Sequence, residues 1–253
     1  MKPLAPAIVL PLLLSGQAVA AEVDTYSSLA AKDHSDVTEL QLNEAIKLRL
    51  FSQLGDEAVA NDLTHFLMQQ VLTWKAEMRD VQQGDSIIAY SFGNRIDEKG
   101  NKLPGPMNEQ IADRVVEIFK QNQKPVYAQW EVAQAIGDRI PADLLFSIYP
   151  KIDPQGKVIY LSTLGVAKEV VRLANGAKQL GTAIVVAFAD HSLRAVNVSR
   201  EVGIDAYSPK GISLPKDYDA DSGQPWTRSR EAFTLYEIKT RAAHEAEGIE
   251  SKK

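Results

Sequence analysis

Thr182-Ala183-Ile184-Val185-Val186-Ala187-Phe188, running on into Ala189-Asp190-His191-Ser192-Leu193-Arg194, places this chain among the α/β proteins. The first seven residues are apolar almost without interruption and of strand length, which is how a strand buried on both faces reads. Beyond it, the eleven residues from Ser192 to Val202 carry a helical pattern. Outward from this unit the same alternation recurs. Ser86-Ile87-Ile88-Ala89-Tyr90-Ser91-Phe92 is a first strand, followed by a Gly/Asn/Pro-rich loop and a helix with Ile111, Val115, Ile118 and Phe119 on one face. Pro125-Val126-Tyr127-Ala128 is a second strand. Lys157-Val158-Ile159-Tyr160-Leu161-Ser162 reads as a third, leading to a helix from Gly165 to Leu180, and Ile204-Asp205-Ala206-Tyr207 as a fifth after the opening segment. A last amphipathic helix spans Thr227 to Glu247. Apolar strands separated by helices of 10–15 residues predict a mostly parallel sheet covered on both faces, a three-layer sandwich.

Ahead of this pattern the sequence is helical. Ser35 or Asp36 can cap a helix carrying Leu42, Ala45, Ile46 and Leu50 at helical spacing, which Leu54-Gly55 stops. Asp56 caps a second helix, whose stripe of Val59, Leu63, Phe66, Leu67, Val71, Trp74 and Met78 carries it to Val81. The short connection predicts an antiparallel hairpin whose apolar stripes pack on the domain that follows. His65 and Trp74 read as packing residues. At the start, Lys2, the apolar stretch Leu4 to Leu14 and the small residues of Ala18-Val19-Ala20 have the layout of a secretory leader cut after Ala20. That stretch is too short to cross a hydrocarbon core of about 30 Å, and no later run predicts a transmembrane span. The expected organisation is therefore a leader (1–20), a helical extension (21–83), the α/β domain (84–248) and a disordered polar tail (249–253), in a periplasmic or otherwise secreted protein.

Composition narrows the function classes. Of 253 residues, 45% are hydrophobic and 24% charged, the net charge is −5 and cysteine is absent. That excludes a disulfide scaffold, a thiolate metal site and a cysteine nucleophile. An acidic balance argues against a bulk grip on nucleic acid. Four histidines at 34, 65, 191 and 244, with no HExxH, predict no metal centre.

In open parallel sheets ligands bind at the carboxyl ends of strands, so the residues just after each strand are the candidates. After the first come Ser91, Gly93, Asn94 and Arg95, a tight turn with groups for an anion or a carbonyl. Ala89-Tyr90-Ser91-Phe92-Gly93 lacks the leading glycine and the immediate helix of a nucleophile elbow, so a serine hydrolase is not predicted. No GxGxxG or Walker A loop is present. After the second strand come Gln129, Trp130 and Glu131, the last either a carboxylate stabilised by a helix start or a site acid. Thr163 and Gly165 sit at a helix entrance whose exposed backbone N–H groups favour an anion, with Thr163 either a ligand-binding residue there or simply the helix cap. Asp190, His191 and Arg194 form the sharpest group: an imidazole and a guanidinium aimed at one cleft suit a phosphate or carboxylate, or acid-base work on one. Arg228 and Arg230 open the last helix, where they meet either an anion or the acidic pair Asp219 and Asp221.

The segment Val185 to Ala195, with His191, Arg194 and Ala195 as H-x-x-R-A and a short helix to Gly203, resembles the signature of the bacterial envelope proteins typified by YdcF, SanA and ElyC, a family of unknown function. Gly93, Arg114, Glu131 and Arg230-Glu231 occur in the order that family has, and the resemblance covers Asp85 to Arg241. The family's Ser-Gly-Gly turn after the second strand is here Ala128-Gln129-Trp130. The resemblance implies a Rossmann-like domain in the cell envelope, linked to envelope integrity and to peptidoglycan or lipid-carrier metabolism. Two functions follow as expectations. One is an accessory factor with a cleft for a small anionic, nucleotide-like or phosphorylated ligand. The other is an enzyme on a phosphorylated or glycosylated intermediate, with His191 and Glu131 exchanging protons. No cofactor is identified.

Overall fold

The computed structural model describes residues 38–155 and 158–250, so the expected leader, the expected caps Ser35 and Asp36, and Lys157 lie outside the described residues. The chain divides into two compact units, one ending at Phe66 and the other beginning at Leu67.

In the first unit helix α1 (Glu39–Leu54) is opened by a capping box. Thr38 Oγ1 accepts from the Gln41 amide at 3.2 Å and Gln41 Oε1 accepts from the Thr38 amide at 2.8 Å. Gly55, at φ +67°, closes α1 in the left-handed conformation that glycine adopts freely. Asp56 then receives the Val59 amide at 3.1 Å and starts α2 (Glu57–Phe66), and the two helices pack on each other.

The second unit begins where the sequence reading continues the helix. Leu67–Val71 is a single π turn, and from there the chain runs extended into strand β1 (Met78–Asp80), so Trp74 and Met78 are not on a helix. The cause is non-local. Arg241 Nη1 binds the carbonyls of Gln70 and Thr73 at 2.9 and 3.2 Å, acceptors that a continuing helix would use internally, and Trp74 Nε1 takes the carbonyl of Val71.

The remaining elements are β2 (Ser86–Ala89), the small hairpin β3 (Arg95–Ile96) and β4 (Lys102–Leu103), α3 (Pro106–Gln121), β5 (Val126–Gln129), α4 (Trp130–Ile136) and β6 (Leu145–Ile148). A second small hairpin, β7 (Lys151–Ile152) with β8 (Val158–Ile159), precedes α5 (Thr163–Leu173), β9 (Thr182–Val186), α6 (Ser192–Glu201), β10 (Asp205–Lys210) and α7 (Arg230–Glu250). The six-stranded sheet has the order β1-β10-β9-β2-β5-β6, and every pairing in it is parallel. Pleating sends alternate side chains to opposite faces. Ile87, Ala89, Val126, Ala128, Ile184 and Val186 pack with α3, α4 and Phe233 of α7, while Ile88, Tyr127, Ala183 and Val185 pack with α5 and α6. The architecture is the α/β three-layer sandwich with a parallel sheet that the apolar runs predict, and it is Rossmann-like.

One strand differs from expectation. Val158-Ile159 does not join the sheet; it pairs antiparallel with Lys151-Ile152 across the Asp153-Pro154 turn, and both residues are exposed. The sheet position belongs to β6, whose half-buried Leu145-Phe146-Ser147 is an edge strand and lacks a continuous apolar run. The predicted helix from Gly165 to Leu180 ends at Leu173, and a separate 3₁₀ turn covers Ala177–Leu180. Helix α7 continues through Glu250, beyond the Glu247 limit read from sequence.

From β2 the chain moves to β5 and β6 on one side, then returns to β9 and β10 on the other. Loops leaving the carboxyl ends of β2 and β9 therefore diverge and open a crevice between them.

Candidate functional site

The crevice at that switch point is a cavity of about 650 Å³ lined by the β2, β5 and β9 loops, the β7–β8 hairpin and its exit, and the 222–227 loop with α7. Its β2 wall is held by side chains that consume backbone amides. Gln129 Oε1 accepts from the Ser91 amide at 3.1 Å, and Asn108 Oδ1 accepts from the Phe92 amide at 2.8 Å. Asn108 Nδ2 in turn donates to the carbonyls of Gly93 and Pro104 at 2.9 and 2.6 Å. Gly93 stands at φ +67°, and a Cβ there would lie 2.5 Å from Met107 Cε and 2.8 Å from Ser222 Oγ. The turn is thus required by conformation and by space.

The floor is ionic. Glu237 of α7 is fully buried and accepts from Arg194 Nε at 2.9 Å to both oxygens, from Arg194 Nη2 at 2.8 Å and from Arg241 Nε at 3.0 Å. Arg194 Nη1 also donates to Thr163 Oγ1 at 2.6 Å. Two guanidinium groups facing one carboxylate leave a net positive charge in a low-dielectric wall, where it acts strongly on whatever enters. Burial lowers the pKa of Arg241, while Glu237 opposes that change. Ser162, not Thr163, caps α5, receiving the Gly165 amide at 3.1 Å. Thr163 is the first helical residue, and its hydroxyl is committed to Arg194.

His191 lines the cavity, and its ring is packed edge-on against Tyr90 and Phe233. Its Nδ1 lies 3.9 Å from Glu237 Oε2 and has no hydrogen-bond partner. Burial, followed by the charges of Arg194 and Arg241, holds its pKa well below the ordinary histidine value despite the nearby carboxylate. His191 is therefore held toward its neutral, donor-acceptor form, and the cations that line the cleft are Arg194 and Lys102.

A second polar cluster forms the opposite wall. Glu131 is fully buried at the start of α4, and its Oε1 accepts from the Tyr160 hydroxyl at 2.5 Å. Trp130 Nε1 donates to the same Tyr160 oxygen at 3.2 Å, and Lys102 Nζ sits 3.9 Å above the Tyr160 ring. Burial raises the Glu131 pKa above the ordinary carboxylate value, with Tyr160, Ser91 and Lys102 pulling it back. Its Oε2 lacks a partner in hydrogen-bond geometry.

Of the residues singled out in the sequence, Ser91, Gly93, Asn94, Gln129, Thr163, His191 and Arg194 line the cavity, and Glu131 stands behind Tyr160. Three are engaged elsewhere. Arg95 is bidentate to Asp219 at 2.6 and 2.7 Å. Asp190 accepts from Tyr218 at 2.9 Å and from Arg230 at 2.9 and 3.1 Å. Arg228 donates to the Ser222 carbonyl at 2.7 Å. Asn108, Tyr160, Glu237 and Arg241 are not singled out by the sequence reading. For the last two a signal exists: Phe233, Glu237 and Arg241 follow each other at i, i+4 and i+8 on one stripe of α7, so two charged residues share the buried face with a phenylalanine. Among the described residues no group of three or more His, Cys, Asp or Glu is arranged to hold a metal ion, and no helix is long and apolar enough to cross a membrane.

No family model matches this chain, and neither does any of the curated proteins or solved structures compared with it.

Proposed function

We propose that the protein binds a small anionic, polar molecule, of the phosphorylated class, in the cleft between β2 and β9, as an exported accessory factor of envelope metabolism. The observation that carries the binding reading is the Arg194–Glu237–Arg241 array, which leaves an uncompensated positive charge in the wall of a cavity at the sheet's switch point. The entrance of α5 adds the partial positive charge of a helix N-terminus on the same cavity. The envelope setting rests on the leader-like start and on the H-x-x-R-A resemblance to the YdcF-type proteins.

Calorimetric titration with inorganic phosphate and simple phosphate esters tests this, with Arg194→Met as the control. Ligand at a hundred times its dissociation constant adds roughly 2.7 kcal/mol to the folded state, a rise of about 5–10 °C in Tm for a domain of this size. Saturable binding lost in Arg194→Met supports the proposal. The absence of binding by any phosphate compound refutes it.

A second reading, an enzyme acting on such a ligand, is favoured by one observation: burial moves Glu131 and His191 in opposite directions, Glu131 toward its protonated form and His191 toward its neutral form. A carboxylic acid and a free imidazole are an acid-base pair. Turnover abolished in His191→Asn with ligand binding retained distinguishes this reading from the first.

A further inference from the structure

The wall of the cleft changes character from floor to mouth. Arg194 lies at the floor, its side chain 14% exposed. At the mouth stand Ile96 and Val158, 53% and 56% exposed, with the indole of Trp226, and all three line the cavity. Ile96 belongs to β3 and Val158 to β8, so each of the two small hairpins turns an aliphatic side chain to the same opening. Opposed residues of an antiparallel pair share a face. Ile152, opposite Val158 and 71% exposed, therefore extends that surface along β7. Single exposed aliphatics are ordinary on a protein surface, whereas several gathered round one opening mark a contact surface. Two-stranded ribbons as short as these are also marginal in water unless a face is covered.

The polar side chains of the wall are largely engaged with the protein itself. Gln129 Oε1 accepts from the Ser91 amide, and the Tyr160 hydroxyl donates to Glu131. Thr227 donates to the Gln224 carbonyl at 2.9 Å and Thr240 to the Tyr236 carbonyl at 2.8 Å. Among the described residues no aspartate or glutamate lines the cavity. Arg194 differs, because its guanidinium has N–H groups beyond those that Glu237 and Thr163 take. The second cation, Lys102, stands opposite Ile96 and holds its ammonium 3.9 Å over the Tyr160 ring, toward the far wall.

A ligand therefore meets cationic N–H groups at the floor and, toward the mouth, aliphatic and aromatic carbon. A cavity of about 650 Å³ has room for far more than a phosphate group, so the rest of the molecule lies against that carbon. Hydroxyl groups there would leave water without gaining partners. Hydrocarbon gains from the same transfer.

We infer that the ligand of this cleft is a phosphate monoester of an apolar alcohol, its phosphate beside Arg194 and its hydrocarbon at the mouth against Ile96, Val158 and Trp226. This rests on the anion-binding reading above and adds the character of the rest of the molecule. The test is calorimetric titration of the full chain with inorganic phosphate, ethyl, propyl and hexyl phosphate, and glycerol 3-phosphate. A methylene moved from water to an apolar wall is worth up to about fourfold in affinity. Hexyl phosphate is therefore expected to bind at least about tenfold more tightly than ethyl phosphate, and propyl phosphate more tightly than glycerol 3-phosphate, its hydroxylated counterpart. The double variant Ile96→Asn/Val158→Asn, altered only at exposed side chains, should bring the hexyl-to-ethyl ratio below about threefold. If that variant fails to fold, the wild-type series and the propyl–glycerol pair decide. Sedimentation with vesicles of phosphatidylcholine and phosphatidic acid separates two sources of this chemistry, and either result supports the class: protein that pellets and is released by hexyl phosphate takes a lipid headgroup, whereas protein that binds hexyl phosphate and stays in solution takes a free ester. Equal affinity for the alkyl esters, or tighter binding of glycerol 3-phosphate than of propyl phosphate, overturns the apolar assignment and leaves the anion reading standing. Failure of every compound, phosphate included, overturns the anion reading itself.

Discussion

Replacing Glu237 by Gln keeps the shape of the buried side chain and removes its charge. In the native protein that carboxylate accepts from two arginines over 2.8–3.0 Å and is fully buried. Arg241 is 3% exposed at its side chain and Arg194 14%, so neither guanidinium has bulk water to replace the lost partner. Breaking a buried ion pair on one side costs about 3–5 kcal/mol, because the surviving charge stays buried. For a domain of 150–250 residues each kcal/mol moves the midpoint by roughly 2–4 °C, giving a Tm lowered by about 6–20 °C. Scanning calorimetry at neutral pH and low salt measures this. Two companions make it specific to charge balance. Adding Arg241→Met to Glu237→Gln removes one of the two stranded cations, so the double variant should lose less than the sum of the singles, with a coupling of at least about 1 kcal/mol. Phosphate should restore more stability to Glu237→Gln than it adds to the wild type, since the variant presents a larger positive charge beside the cavity. A Tm within 2 °C of wild type, or strict additivity in the double variant, would refute the account of the triad as an electrostatic unit.

The neutral His191 predicts a pH dependence of stability. Burial and the two arginines hold its folded pKa below the unfolded value of about 6.5, so the unfolded chain binds the proton first. Its contribution is complete above that pH and declines as pH falls toward the folded pKa, approaching about 1.4 kcal/mol per pH unit; denaturant titrations should show that slope reduced by one proton in His191→Asn. Gly93→Ala must adopt φ +67° and bring a methyl 2.5 Å from Met107 Cε and 2.9 Å from Thr227 Oγ1, so a loss of about 2–5 kcal/mol is expected by chemical denaturation. Unchanged stability there would mean that the β2 turn is not under steric control. Asn108→Leu strands the Phe92 amide and the Gly93 and Pro104 carbonyls, for about 2–4 kcal/mol, and should raise hydrogen exchange at Phe92 before it changes exchange in β5.

Much of the sheet is legible in the chain because β2, β5 and β9 are buried on both faces, and such strands must be apolar nearly throughout. The same reading takes Val158-Ile159 for a sheet strand and passes over Leu145–Ile148. An apolar run reports a preference for burial and for extended backbone. It does not report which edge is vacant, and that is set by the neighbouring strand and the turn at Asp153-Pro154. Likewise the stripe through Trp74 and Met78 is helical in period. Its carbonyls at Gln70 and Thr73 are claimed by Arg241, 171 and 168 residues away, and the helix gives way to strand β1.

The site divides along the same line. A strand end followed by Asp190-His191-Ser192-Leu193-Arg194 at a helix start is a local pattern, and strand ends of a parallel sheet gather at one edge, so the position of His191 and Arg194 follows from periodicity alone. Local pattern cannot assign partners to long charged side chains. Arg95, Arg194, Arg228 and Arg230 are equal candidates along the chain, and folding gives them Asp219, Glu237, the Ser222 carbonyl and Asp190 respectively. Only Arg194 stays on the cavity wall, because α7 returns across the sheet to set Glu237 behind it, 43 residues further along the chain. Periodic burial is written in neighbouring residues. Charge compensation acts through space, and it is decided by the topology that brings distant segments together.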